Sequence, residues 1–199
     1  MTIHFDDSRT RENLMRAFAG ESQARNRYIF AAQQAEQNHL RVVADAFRFT
    51  AGQEKEHAEV FYNLLAASAG QTIHIDGGYP VNLSMDLHDL LSAARHNETE
   101  EAEDVYPTFA AIAHEEGFLR AADVFTAIAK IEKTHADRFH RYDKLLKKDE
   151  LFSASGETEW LCLNCGHIHK GAEAPALCTV CRHDQGHFIR ADLSPFVLL

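Results

Sequence analysis

An all-α four-helix bundle with one long crossover, followed by a small metal-stapled module, is the architecture this sequence predicts. Three observations carry it. Residues 8–148 have much Ala, little Pro, and apolar positions recurring at three and four. The words EKEHAEVF (Glu54–Phe61) and EKTHADRF (Glu132–Phe139) write one pattern, E-K-x-H-A-x-x-F, twice, 78 residues apart. All four cysteines fall after residue 160, as two C-x-x-C pairs.

The spacing predicts a first helix from about Ser8 to Gln37 and a second from about His39 to Ala69, stopped by Gly70. A third is expected from Met85 to Glu116, ended by Gly117, and a fourth from Phe118 to Lys148. Short breaks make the first two an antiparallel hairpin, and likewise the last two. Between the pairs lies GQTIHIDGGYPVNLS, residues 70–84, whose glycines and proline resist helix. This is the connectivity of a ferritin-like bundle rather than an up-down-up-down one. Pro107, inside the third helix, should kink it or leave a bulge. The bundle is read as residues 1–150. A polar linker follows, and then a second module of residues 158–199 with every cysteine, the only Trp and four His. So short a module needs a metal to hold it together.

Bulk properties exclude several classes. A net charge of −10 disfavours nucleic acid or an anionic membrane as partner. No stretch approaches a membrane span, and MTIHFDDSRTREN lacks the features of a secretory signal. Paired cysteines in such a chain read as metal thiolates before disulfides.

Each helical stripe is interrupted by carboxylate. The first carries Glu21 between Phe18 and Ala24, and the second Glu54 and His57 between Thr50 and Phe61. The fourth carries Glu132 and His135 between Ile128 and Phe139. The third offers Glu98 or Glu101, with Asp104 three further on, while Glu100 and Glu103 point to a solvated face. One such Glu is most simply a stripe edge reaching water. Four at matched depth, two followed by His at i+3, are different, because converging buried carboxylates repel one another without a cation. Glu-x-x-His on two helices plus Glu from the other two is the ligand pattern of dinuclear carboxylate bundles, and this donor set suits iron or manganese. Tyr28 and Tyr106 are candidates to hydrogen-bond the ligands, and Arg25, at i+4 from Glu21, to form a salt bridge with it.

Cys162-x-x-Cys165 and Cys178-x-x-Cys181 form a four-thiolate metal signal, with Gly166 allowing backbone amides to approach sulfur. Four thiolates accept zinc or iron. A dinuclear redox site in the same chain favours iron, which delivers electrons singly. Trp160 is expected to pack the small core.

ESQARNRY (Glu21–Tyr28), EKEHA, DVYPTFAAIAHEEGF (Asp104–Phe118), EKTHA and WLCLNCGHIHKG…APALCTVC together resemble rubrerythrin over nearly the whole chain. The resemblance implies a ferritin-like di-iron bundle, a rubredoxin-like domain holding one iron on four cysteines, and reduction of hydrogen peroxide to water in the cytoplasm. It implies a homodimer, the module of one subunit against the di-iron site of the other. A rubredoxin or an NAD(P)H-dependent reductase would supply electrons. Carried over by position, the di-iron ligands are Glu21, Glu54, His57, Glu101, Asp104, Glu132 and His135, with Tyr28 beside them. Counting back from VYP selects Glu101 and Asp104 over Glu98. The family usually has Glu where this chain has Asp104, so the resemblance implies that the redox-linked exchange of that carboxylate with the second-helix His is here weakened, bridged by water or handled by Glu98. In CTVC, proline often follows the first Cys of the pair in the family. A ferroxidase, a non-enzymatic peroxide sensor and an O₂-reducing enzyme are the alternatives.

Overall fold

The computed structural model describes residues 3–194. The helical text forms α1 (Arg9–Gln37), α2 (Arg41–Leu64), α3 (Leu87–Glu100), a π-helical turn (Glu101–Val105), α4 (Tyr106–Glu115) and α5 (Leu119–Lys147). α3, the π turn and α4 run on as one interrupted rod, so the described residues build four rods. α1 packs along α2, and the α3–α4 rod along α5. The second predicted helix ends early: Ala66–Ser68 is a short 3₁₀ turn. Residues 71–84 cross over without regular structure.

Local chemistry sets the ends. Ser8 Oγ caps α1 by accepting from the Arg11 amide at 3.1 Å. The Glu116 carboxylate, from the far end of α4, accepts from the Arg9 and Thr10 amides at 3.0 and 2.9 Å. Gly117 breaks α4 from α5 at φ 87°, a conformation that costs glycine least.

The interruption follows from Pro107. With no N–H to donate, it deprives the preceding turn of a ladder bond. The chain widens instead, and the Tyr106 amide donates to the Glu101 carbonyl five residues back. One residue is absorbed, so the face of α3 is rotated relative to α4.

Two apolar clusters stack along the bundle. One contains Ala24, Tyr28, Phe47, Leu91 and Phe139. The other contains Leu14, Phe61, Tyr106, Phe125 and Ile128. Along each rod the interrupting carboxylates fall between the two, so the polar layer is sealed on both sides.

The module is a three-stranded antiparallel sheet in the order β2-β1-β3, of β1 (Ser153–Cys162), β2 (Ile168–Glu173) and β3 (Phe188–Arg190). β1 begins inside the stretch read as a linker, and Leu151 is buried with the bundle. Within the predicted bounds 1–150 and 158–199, residues 1–2 and 195–199 lie outside the described residues. Trp160 fills the small core with Phe188, as expected, and its indole donates to the Gly171 carbonyl at 3.0 Å. The module rests on the bundle: Ile189 joins the first apolar cluster, with Leu161 and Leu163 against it. Gly186 lies so close to the α1–α2 turn that a Cβ there would sit 1.8 Å from the His39 carbonyl oxygen.

Candidate metal centre

α1 turns Glu21 inward, α2 Glu54 and His57, α3 Glu98, and α5 Glu132 and His135; all six are buried. Their ligand atoms converge in two groups, Glu21, Glu54, His57 and Glu132 in one, and Glu54, Glu98, Glu132 and His135 in the other. Glu54 and Glu132 belong to both. Within each group the atoms lie within 4.8 Å of one another. His57 Nδ1 is 3.1 Å from Glu54 Oε2 and 2.9 Å from Glu132 Oε1. His135 Nδ1 is 2.7 Å from Glu132 Oε2 and 3.0 Å from Glu54 Oε1.

These atoms fit a pair of cations. Both oxygens of Glu54 and of Glu132, and Nδ1 of both histidines, are buried without a hydrogen-bond partner of good geometry. Unpaired buried polar atoms are costly, and a pair of cations held by these residues would satisfy them. The outer oxygens are held by tyrosines. Tyr106 donates to Glu21 Oε1 at 2.5 Å, and Tyr28 donates to Glu98 Oε1.

Electrostatics says the same. Burial, then the charges of Glu132 and Glu54, push the Glu21 carboxyl well up. Burial and Glu54 do so at Glu98. Burial opposes charge on His135 and His57, but the carboxylates facing them outweigh it and raise them to about 12 and about 9. Glu132, despite burial, is drawn down to about 2 by the two histidines. Protons on the histidines occupy the lone pairs that cations would take.

The structure brings Glu21, Glu54, His57, Glu132 and His135 together, with Tyr28 beside them. It does not bring Asp104 in. That residue is exposed on the outside of the π turn, its carboxylate 3.5 Å from the Thr108 hydroxyl. Glu98 stands in its place, fully buried. Counting back from VYP by resemblance selects Glu101 and Asp104; the π turn before Pro107 instead leaves Glu98 turned inward and Asp104 outside. With Asp104 outside, its shorter side chain has no bearing on ligand exchange. The signal for Glu98 was present, since it continues the Leu87, Leu91, Ala94 stripe. Glu101 stands at the rim, half-buried; burial and the charges of Glu132 and Glu54 push it to about 8, against a pull from Arg27. Arg25 is exposed, and among the described residues no ion pair joins it to Glu21.

A cavity of about 260 Å³ lies against this rim, bounded by Gly20, Arg27, Tyr79, Glu101, Tyr106 and Phe109. A larger groove of about 700 Å³ runs between α2, α5 and the module, with none of the six ligands in its wall.

In the module, Cys162 and Cys181 sulfurs are 3.7 Å apart, as are those of Cys165 and Cys178. The four form one group of potential ligands. Each C-x-x-C closes a knuckle: the Gly166 amide donates to Cys162 O at 2.8 Å, and the Arg182 amide to Cys178 O at 3.0 Å. Gly166 and Arg182 both have positive φ, 77° and 64°. The backbone amide of His183 draws the Cys181 thiol down to about 5, favouring the thiolate a metal needs.

Fold and site define a helical dinuclear-metal protein of the carboxylate–histidine type, carrying a four-thiolate module on the same chain. The rubrerythrin family model matches residues 12–142, and that of the rubrerythrin rubredoxin-like domain matches residues 160–189. The rubrerythrins of Nitratidesulfovibrio vulgaris and Clostridium perfringens are each 40% identical to this chain, covering 91% of it and 93% of their own length. A mixed-valence structure of nigerythrin superposes with a TM-score of 0.62 at 29% identity, over 92% of this chain and 90% of that one. Desulfovibrio desulfuricans bacterioferritin shares the fold, with a TM-score of 0.62 at 20% identity over 71% of this chain and 81% of its own. The chain belongs to the rubrerythrin family. Its bundle carries the carboxylate–histidine di-iron site and its module the four-cysteine rubredoxin-like site, as in rubrerythrin and nigerythrin.

Proposed function

We propose that this chain reduces hydrogen peroxide to water, H₂O₂ + 2H⁺ + 2e⁻ giving two H₂O, and that the four-cysteine centre returns the electrons singly. The observation that supports it best is the presence, in one chain, of a two-metal carboxylate layer and a four-thiolate centre. A pair of ferrous ions supplies two electrons and Lewis acidity.

The protein's own residues do the rest. Tyr28 and Tyr106 fix the orientation of Glu98 and Glu21, so the carboxylates keep their positions as charge changes. Phe61 and Phe125 on one side, and Phe47 and Phe139 on the other, exclude bulk water from the layer. Glu101 faces both the layer and the cavity and is placed to hold a proton for a departing oxygen. The cavity is smaller than the 300 Å³ or more usual for organic ligands, which favours a small oxidant over an oxygenase substrate.

The module packs on its own bundle at the His39 turn and through Ile189 against the first apolar cluster. In this reading the chain works as a homodimer, and a partner's module delivers the electrons to this site. The four cysteines form no disulfides, consistent with a cytoplasmic protein reduced by a rubredoxin or an NAD(P)H-dependent reductase. No helix among the described residues is long and apolar enough to cross a membrane.

NADH consumption through a rubredoxin reductase, measured with peroxide in the absence of O₂ and separately with O₂, is the test. Sustained turnover with peroxide, faster than with O₂, is expected. A single stoichiometric oxidation without turnover would replace the enzyme with a sensor, and faster turnover with O₂ would make it an oxidase.

A further inference from the structure

The cavity beside the di-iron layer is walled on one side by the crossover residues Gly77, Gly78, Tyr79 and Pro80, of which Tyr79 has the largest side chain. Tyr79 lies over Gly20: the nearest atoms to a Cβ built at Gly20 would be Tyr79 Cε1 at 3.9 Å and Glu101 Oε1 at 4.0 Å. Because residue 20 has no side chain, open space runs from the Tyr79 ring to the carboxylate at the rim of the layer. Glu21, the next residue, is a ligand.

Besides its place over Gly20, the ring has two holds. Its hydroxyl donates to the Arg16 carbonyl at 3.2 Å. Its inner edge packs on Gly77, where an added Cβ would approach the ring to 3.1 Å. The base of the segment is firmer, since Asp76 accepts from Arg16 at 2.7 Å. Beyond Tyr79, Val81 and Leu83 are exposed. A ring 41% exposed, tethered by one neutral hydrogen bond and flanked by Gly77 and Gly78, can swing without disturbing the helices.

We propose that Tyr79 is a gate on the route by which small molecules reach the di-iron layer and that, given the peroxidase reading above, it sets the size limit for the oxidant. With the ring closed, the 260 Å³ cavity admits a molecule the size of hydrogen peroxide. A bulky organic hydroperoxide requires the ring to leave.

The test uses the iron-loaded full chain and three variants: Tyr79→Phe, Tyr79→Ala and Gly20→Ala. Azide is the first probe, its association followed by the absorption of the iron–azide complex, which reads access without turnover. Losing the tether in Tyr79→Phe should speed azide association about fivefold, and Tyr79→Ala should speed it further. Gly20→Ala, whose new methyl meets only ordinary contacts, should slow it. The second readout is kcat/KM for cumene hydroperoxide relative to hydrogen peroxide, which should rise in Tyr79→Ala. Unchanged azide rates in a folded, iron-loaded Tyr79→Ala would overturn the gate, whatever the peroxide turnover. Accelerated azide association in a chain that does not turn over peroxide would uphold the gate and remove the peroxidase reading.

Discussion

Metal loading should release at least two protons per chain at pH 7. The perturbation is addition of Fe(II), without oxygen, to the metal-free chain. In that state His57 and His135 hold protons, raised to about 9 and about 12, and Glu101 at the rim, raised to about 8, holds a third that it keeps. Nδ1 of each histidine is the atom turned toward the carboxylates, so a cation must displace its proton. Glu21 and Glu98, also raised, add to the release. The same groups set the stability of the metal-free chain. All three bind protons more tightly folded than unfolded, so their contribution is present at low pH and lost as pH rises. Glu101 loses it from its unfolded 4.5 up to about 8; His57 and His135 lose it from 6.5 up to about 9 and about 12. With about two to three excess protons bound near pH 7, the slope is about 3 kcal/mol per pH unit. Glu132 has the opposite sign: lowered to about 2, it stabilises above 4.5 and fails as pH falls toward 2. The metal-free chain should thus be most stable in mild acid, and the overall constant for binding two irons should rise at least about a hundredfold per pH unit near neutrality. Proton release in weak buffer with an indicator dye, beside urea unfolding from pH 5 to 8.5, measures both. Release of less than one proton, or a metal-free chain as stable at pH 8 as at pH 6, would refute the reasoning.

Three further outcomes follow from particular contacts. Glu98→Ala should cost the chain about one of its two bundle irons, whereas Asp104→Ala should leave iron content unchanged; metal analysis per chain decides, and the reverse result would return Asp104 to the ligand set. Tyr106→Phe removes the donor to Glu21 and should weaken metal binding about tenfold without unfolding the bundle, read by chelator competition. Gly186→Ala forces a methyl against the His39 carbonyl and should loosen the module at a cost of about 2 kcal/mol, seen as faster proteolysis between residues 148 and 160 with both metal sites still filled.

Much of this protein is written in its sequence because its information is local and periodic. The 3.6-residue stripes define the rods, and Glu-x-x-His written twice supplies four of the six residues of the metal layer, since residues three apart on a helix share a face whatever the neighbours do. The two C-x-x-C pairs define the module, since each knuckle is closed by backbone amides a few residues away. Tertiary structure alone decided what depends on phase and on distant segments. Pro107 announced a bulge, but only the folded rod shows the π turn absorbing a residue, which buries Glu98 and leaves Asp104 in solvent. The stretch read as a linker became the start of β1, because pairing with Glu173 and burial of Leu151 against the bundle outweigh its polar composition. Nor could spacing show that Tyr79, 58 positions along the chain from Glu21, folds back over Gly20: a crossover without regular structure carries no period, and its course is set by what it touches.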